Sequence, residues 1–346
     1  MSIISPRALL VTAIGLVLLA GAYAGYWFYA AALLEDGFAD WRAARQAQGH
    51  TVTHGAVSVT GFPTALRLTV ADPVYADSQQ GWSWKGRRLS HEIAPWNWYW
   101  YRLEFEGPHE VALTAEGRRR AFQGEAESAV FIGRASPAGG LEKGALDVSA
   151  LRIRAPEGKA VSTIQQIRLR LDAAPGGNPD LQVTLMVERT HFADSAAFAL
   201  GPDLAHLGAH GTLRGGLPAR LDHAAFDRWR AGGGIVDLEW VKLAWGPLDL
   251  EAKGTVSLDE RMRPLGALTA DIRGHIETID VLEQARLLRR KAAATSRIAL
   301  ALLAKPDKNG KGSVLTIPVT AQDGRLYLGF VRLFALPPIP FPARSG

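Results

Sequence analysis

Two patterns of apolar and polar residues divide this chain. From Ala8 to Leu34 there is no charged residue, and as a helix rising 1.5 Å per residue this stretch would reach about 40 Å, more than the ~30 Å hydrocarbon layer of a bilayer. Beyond it the period drops to two. Leu66, Leu68 and Val70 alternate with Arg67 and Thr69; Ile167, Leu169 and Leu171 alternate with Arg168, Arg170 and Asp172; Leu181, Val183, Leu185 and Val187 alternate with Gln182, Thr184 and Glu188. Each reads as a strand with one wet face. Further strands are expected at Gly55 to Thr60, Glu110 to Thr114, Glu125 to Ile132, Ala145 to Ile153, Ile235 to Trp245, Leu248 to Leu258, Leu268 to Gly274, Val314 to Thr320 and Leu326 to Phe334. Short turns between them argue for antiparallel meanders rather than βαβ units.

Turn and helix signals refine this. Asp323-Gly324 sits between two strand patterns as a hairpin, and Leu258-Asp259-Glu260 to Pro264-Leu265-Gly266 joins another pair. A helix around Phe38 to Gln48 continues the apolar segment. Another, from about Leu221 to Ala231, is stopped by Gly232-Gly233-Gly234, and a long one runs from Asp280, as N-cap, to Lys305 before Pro306. On this last helix Val281, Ala285, Leu288, Ala292, Ala299 and Leu302 share a side, while Arg286, Arg290 and Arg297 fall elsewhere. It suits a helix covering a sheet, or one lying on anionic lipid. Lys305 to Ser313 reads as a polar loop, and Leu336 to Pro342, with four prolines, as an extended apolar tail. Gly61-Phe62-Pro63 and Gly216-Leu217-Pro218 stand in comparable roles in two weakly similar halves. The expected organisation is a tail and anchor (1–34), a helical linker (35–49), and β units at 50–175 and 176–346, divided in the proline- and glycine-rich segment Ala173 to Asp180. The expected fold class is mainly β: a long antiparallel sheet, curved like a groove or taco, with one long helix (280–305) packed on it.

The flanks orient the anchor, for which Ala8, Leu18, Trp27 and Leu34 are markers. Arg7 precedes it, whereas Glu35, Asp36 and Asp40 come before Arg42, which places the N-terminus in the cytoplasm and the bulk across the membrane. Tyr23, Tyr26, Trp27 and Tyr29 suit an interfacial belt. The competing reading is a signal peptide cleaved after Ala22-Tyr23-Ala24.

Composition narrows the chemistry. With 346 residues, 47% hydrophobic and 21% charged, the chain can build one large or two medium cores, and with no cysteine it can form neither disulfides nor thiolate sites. A charge of +5 and a pI near 9.5 suit anionic partners, yet only Arg118-Arg119-Arg120 and Arg289-Arg290-Lys291 form basic runs. Catalytic motifs fail on spacing. His91-Glu92 and His109-Glu110 start the zinc pattern H-E-x-x-H, but its fifth positions are Pro95 and Leu113. Lys308 to Ser313 lacks the first glycine and the helix of a phosphate loop, and no G-x-S-x-G elbow occurs. We therefore expect no enzyme activity, no metal and no cofactor. Aromatics beside Lys85, Arg87 and Arg88 do not alternate with basic residues as a nucleic-acid platform requires, so no nucleic-acid partner is expected.

The densest aromatic stretch is Trp96-Asn97-Trp98-Tyr99-Trp100-Tyr101, with Trp82 and Trp84 shortly before it. In a regular strand Trp96, Trp98 and Trp100 share one face, and Tyr99 and Tyr101 the other. Such a segment is either a core strand covered on both sides, or one whose face lines an apolar groove or meets the bilayer interface.

These landmarks resemble a family. Gly61-Phe62-Pro63 with Leu66-Arg67-Leu68, the Trp96-Asn97 segment leading to Gly107-Pro108-His109, and Gly234 with Trp245-Gly246-Pro247-Leu248 form the first part of the likeness. Gly254-Thr255-Val256 and Thr320 to Gly324 with Leu326-Tyr327-Leu328-Gly329 complete it. Together they resemble the uncharacterised Gram-negative family DUF2125, over nearly all of the chain after the anchor. A looser similarity links it to AsmA-like envelope proteins, whose sheets curl into lipid grooves. The anchor, the strand-rich chain and the concentrated aromatics lead to the expectation of a single-pass inner-membrane protein with a periplasmic β domain and a non-catalytic role in lipid handling or envelope maintenance, whose partner is membrane lipid. The other expectation is a scaffold that binds a second envelope protein by a sheet edge or the aromatic face.

Overall fold

In a computed structural model, residues 6–77, 81–115, 118–137, 140–155, 161–175, 178–193, 198–216, 223–306, 312–329 and 331–339 are described. The leading element is one continuous helix, α1 (Pro6–Ala47), so the apolar segment and the Phe38 region form a single rod. The first strands are β1 (Thr51–Thr53), β2 (Val57–Thr60), β3 (Leu66–Ala71), β4 (Val74–Asp77), β5 (Trp82–Ala94), β6 (Asn97–Ala115) and β7 (Arg118–Glu125). Then come β8 (Ser128–Ala135), β9 (Leu141–Arg154), β10 (Val161–Ala173), β11 (Leu181–His191) and β12 (Asp203–Leu213). A short helix, α2 (His223–Ala231), precedes β13 (Val236–Trp245), β14 (Leu248–Leu258) and β15 (Pro264–Arg273). Helices α3 (His275–Gln284) and α4 (Arg290–Leu303) lead to β16 (Lys305–Pro306), β17 (Ser313–Gln322), β18 (Arg325–Leu328) and β19 (Val331–Ala335).

Among the described residues all ladders are antiparallel and most join consecutive strands, which makes one large meandering sheet. An open sheet this wide accumulates twist and curls. β10 and β11, on either side of the 173–180 segment, pair from Thr163↔His191 to Ala173↔Leu181, so the sheet is continuous there. The hairpins read from sequence are present. Gln322 pairs with Arg325 across Asp323-Gly324, whose φ values of 52° and 68° give the left-handed pair that a two-residue turn matching strand twist demands. Leu258 pairs with Pro264 across a five-residue loop closed by Asp259 Oδ1, which accepts from the Arg263 N–H.

Alternation sorts the sheet into two chemically distinct faces. One register row crosses twelve strands: Leu68, His91, Leu103, Phe131, Leu146, Leu169, Leu185, Ala209, Val241, Ala252, Ala270 and Ile317 stand opposite one another in turn. The neighbouring row on the other face holds Glu104, Asp147, Arg168, Lys242 and Glu251. Ion pairs lace this polar side, among them Arg88–Glu106 at 3.0 Å, Arg170–Asp147 at 3.0 Å and Lys242–Glu251 at 3.4 Å. As exposed pairs they stabilise by at most about 1 kcal/mol each; their larger effect is to keep that face wet.

Among the described residues the apolar face is covered only near its ends. At one end Trp27, Ala30 and Ala31 of α1 bury Leu66 and Ile93. At the other, Ala252, Ala270, Ile272, Leu315 and Ile317 form a second core, with Leu300 of α4 against it. Between Val130 and Leu204 no hydrophobic side chain among the described residues is buried. Leu146, Leu169 and Leu185 are half-exposed. Full burial of such a side chain contributes about 1.5–3 kcal/mol, so the sheet forgoes much of the stability its sequence offers.

Two expectations are corrected. The 280–305 helix is two helices: Arg286 takes φ 59°, the N–H groups of Leu287 and Leu288 both return to the Leu282 carbonyl, and Asp280 lies inside α3 rather than capping it. Arg297 Nε donates to Asp280 Oδ1 at 2.9 Å and ties the halves together. Gly107-Pro108-His109 falls inside a strand. It lies within the 19-residue β6 as a bulge opposite Arg87, where proline withholds no ladder hydrogen bond. The strict alternation of Trp96 to Tyr101 also fails, because Ala94 pairs with Asn97 and Ile93 with Tyr101, leaving residues 98–100 as an excess on one strand. The readings placed on 308–313 and on Gly216-Leu217-Pro218 lie partly outside the described residues, as do 340–342 of the tail.

One position ties register to packing. The Tyr101 ring lies over Gly133, where an added Cβ would stand 2.3 Å from Tyr101 Cζ. Gly133→Ala is expected to destabilise by about 1–3 kcal/mol through this overlap. Urea unfolding checks it, and most of the penalty should vanish in a Tyr101→Leu background.

Candidate functional site

Where α1 leaves the sheet's first strands partly uncovered, two apolar chambers lie side by side. The first, about 550 Å³, is walled by Leu33, Leu34, Phe38 and Trp41 of α1 and by Leu68, His91, Trp98 and Leu103 of the sheet. The second, about 470 Å³, lies between Phe38, Trp41 and Arg45 on one side and Val52, Tyr75, Trp82 and Trp84 on the other. They share Phe38, Trp41, Val70 and Leu89. Both fall in the size range of small-ligand sites, and the first opens onto the uncovered row through Leu103.

The seven aromatic residues expected to act together are divided. Trp82 and Trp84 line the second chamber; Trp82 stacks on Tyr75 at 5.3 Å and Trp84 on His109 at 5.8 Å. Trp98 closes the first chamber beside α1, its Nε1 donating to the Pro95 carbonyl at 3.1 Å. Tyr101 belongs to the apolar face, 6.0 Å from Phe131. Trp96, Tyr99 and Trp100 point away from any core, with Trp96 69% exposed in the hairpin turn and the Arg134 guanidinium 5.7 Å over Trp100. The doubly covered core strand is therefore excluded.

Polar groups near the chambers are few. Arg42 donates to His54 Nε2 at 2.9 Å, and since arginine can only donate, His54 carries its proton on Nδ1, which donates to the Gly55 carbonyl at 2.8 Å. Arg45 donates to Gln48 Oε1 at 2.9 Å. Among the described residues neither arginine has a carboxylate within ion-pair distance, unlike the arginines of the polar face. On the trough side, burial lowers the pKa of His91 and raises that of Tyr101. His109 is also lowered by burial, against the opposing effect of the Phe105 carbonyl. Glu92 and Glu110 face away from these histidines, toward Arg67 and Arg119. No three His, Asp or Glu side chains converge as metal ligands among the described residues.

The histidine shifts have a consequence for pH. A histidine held below its ordinary value refuses a proton that the unfolded chain, titrating near 6.5, accepts. Stability should therefore be full above that pH and fall as pH drops through it toward the lowered folded values. Thermal unfolding between pH 7.5 and 5 checks this, with His91→Leu flattening the slope.

Sequence reasoning missed Leu33, Phe38, Trp41, Tyr75 and Leu89. Phe38 and Trp41 follow Leu34 at helical spacing on α1, a signal that Leu33 does not share, whereas Tyr75 and Leu89 lie on strands whose short length or charged neighbours mask the alternation.

From Leu10, α1 is long and apolar enough to cross a membrane, a property shared by anchors and signal sequences. No curated protein and no solved structure matches the chain. A family model described as an uncharacterised protein conserved in bacteria matches residues 27–337, from the aromatic part of α1 to just past β19. Covering nearly the whole chain, that match shows that this protein belongs to the DUF2125 family.

Proposed function

We propose that the protein is a non-catalytic, membrane-anchored module that holds lipid acyl chains along its apolar trough. α1 crosses the inner membrane with its N-terminus in the cytoplasm, and the sheet stands in the periplasm. The observation that carries this reading is the register row from Leu103 to Val241, apolar at every position and half-exposed throughout. Soluble proteins rarely leave a contiguous apolar surface beyond a few hundred Å² open unless something binds there. The chambers beside α1 connect that surface to the anchor, so a chain drawn from the bilayer stays in apolar surroundings. Arg45 on the wall of the second chamber, with Arg42 bonded to His54 of the same wall, suits an anionic head, carboxylate or phosphate, on the same molecule.

The test is mass spectrometry of lipid retained by the full chain after delipidation and exposure to vesicles of phosphatidylethanolamine and phosphatidylglycerol. Stoichiometric retention supports the reading; an empty protein overturns it. Reversing both charges, Arg42→Glu with Arg45→Glu, should lower phosphatidylglycerol retention about thirtyfold or more, at roughly 1 kcal/mol per basic residue, and leave phosphatidylethanolamine retention far less changed.

A second reading, a scaffold for another envelope protein, is favoured by the sheet's ends. Among the described residues β2 pairs only with β3, and β19 only with β18, so each offers a free edge for strand addition. Crosslinking in membranes that captures protein at β19 and no lipid in the trough would favour it.

A further inference from the structure

We propose that the two hairpin tips beside α1, at Phe62 and at Trp96 to Trp100, are a membrane-contact platform that seats the β domain on the headgroup layer of the bilayer. This rests on the reading of α1 as a retained anchor, but not on the trough's holding lipid. The tips are locked to the helix at one level. Tyr26 Oη donates to the Pro95 carbonyl at 2.6 Å, Trp27 Nε1 to the Ala65 carbonyl at 2.9 Å, and Tyr23 Oη to the Pro63 carbonyl. Phe62 packs its ring against Trp27 at 5.5 Å and against Phe28 at 6.2 Å, yet stays 52% exposed.

That level follows from helix geometry. Twenty residues separate Ala8 from Phe28, a rise of about 30 Å, which equals the hydrocarbon thickness. Tyr23 to Tyr29 therefore lie where the hydrocarbon ends, and the bonds above hold both tips there too. The residues the tips expose are those favoured at that depth: tryptophan and tyrosine, each an apolar ring with a polar edge. The Arg134 guanidinium over Trp100 is ion-paired with Glu142 at 3.2 Å, so the tips meet the headgroup layer through their rings rather than through a free cation. The first chamber, which Trp98 and Leu33 close, thereby comes to lie at the membrane surface.

The absence of cysteine from the chain makes the test direct. Single variants Val17→Cys, Phe62→Cys, Trp96→Cys and Arg119→Cys of the full chain would be spin-labelled and reconstituted in phosphatidylethanolamine–phosphatidylglycerol vesicles. Relaxation by oxygen and by a water-soluble nickel chelate then reports depth. All four positions are exposed, so the labels should not perturb folding. The expected result places label 17 in hydrocarbon, labels 62 and 96 at the headgroup boundary with oxygen outweighing nickel, and label 119, at the far end of β6 and β7, in water. Labels 62 and 96 as nickel-accessible as 119, with 17 still deep, would overturn the platform alone. Shielding of 62 and 96 from both reagents would overturn it in favour of a protein cover, and label 17 in water would overturn the anchor as well.

Discussion

Leu169→Glu is expected to leave the protein folded and strip it of lipid. Leu169 stands mid-row between Leu146 and Leu185, half-exposed on the uncovered face. A carboxylate there keeps access to water, so the loss of stability should stay within about 1 kcal/mol. In a filled core the same substitution would bury an unpaired charge, at several kcal/mol. A lipid tail across this position would meet that charge with no water to solvate it. Retained lipid should fall to background, while urea unfolding moves little. A protein that unfolds on this change has a closed core there, and one that keeps its lipid does not bind it on this row.

Leu66→Ala should do the reverse. Leu66 is 0% exposed, packed among Trp27, Ala30, Ala31 and Ile93, and it is the main apolar contact between α1 and β3. Its loss is expected to cost about 2–5 kcal/mol, from transfer and cavity together. Because the cavity opens where α1 meets the sheet, loosening should show first as faster hydrogen exchange in β2 and β3. A loss below about 1 kcal/mol would mean that α1 is not docked on the sheet.

Much of this architecture is legible in the chain because strand alternation is a local signal. Leu181 to Val187 announces its faces residue by residue, and Asp323-Gly324 specifies its turn. The β5–β6 pair resisted for physical reasons. Gly86, Arg87 and Arg88 interrupt the apolar period of β5, and the bulges at 107–108 and 98–100 shift which side chains face the trough, so counting by two fails across them. The two-helix arrangement of α3 and α4 depends on Arg286 in a left-handed conformation and on the return of two N–H groups to Leu282, neither of which leaves a mark such as glycine in the sequence. The site is harder to read because it is a relation between elements. Trp82 and Trp84 become chamber walls only when Phe38 and Trp41 of α1 lie opposite them. That one face stays uncovered over β9 to β11 depends on no second layer of described residues lying over it, which alternation alone cannot report.

The most direct measurement places a photo-reactive benzoylphenylalanine at Phe131, on the trough face, and separately at Arg168, on the polar face, with the full chain irradiated in its native membranes. The account predicts a lipid-mass adduct at position 131 and none at 168. Equal labelling at both positions, or adducts at 131 that contain only protein, would contradict it.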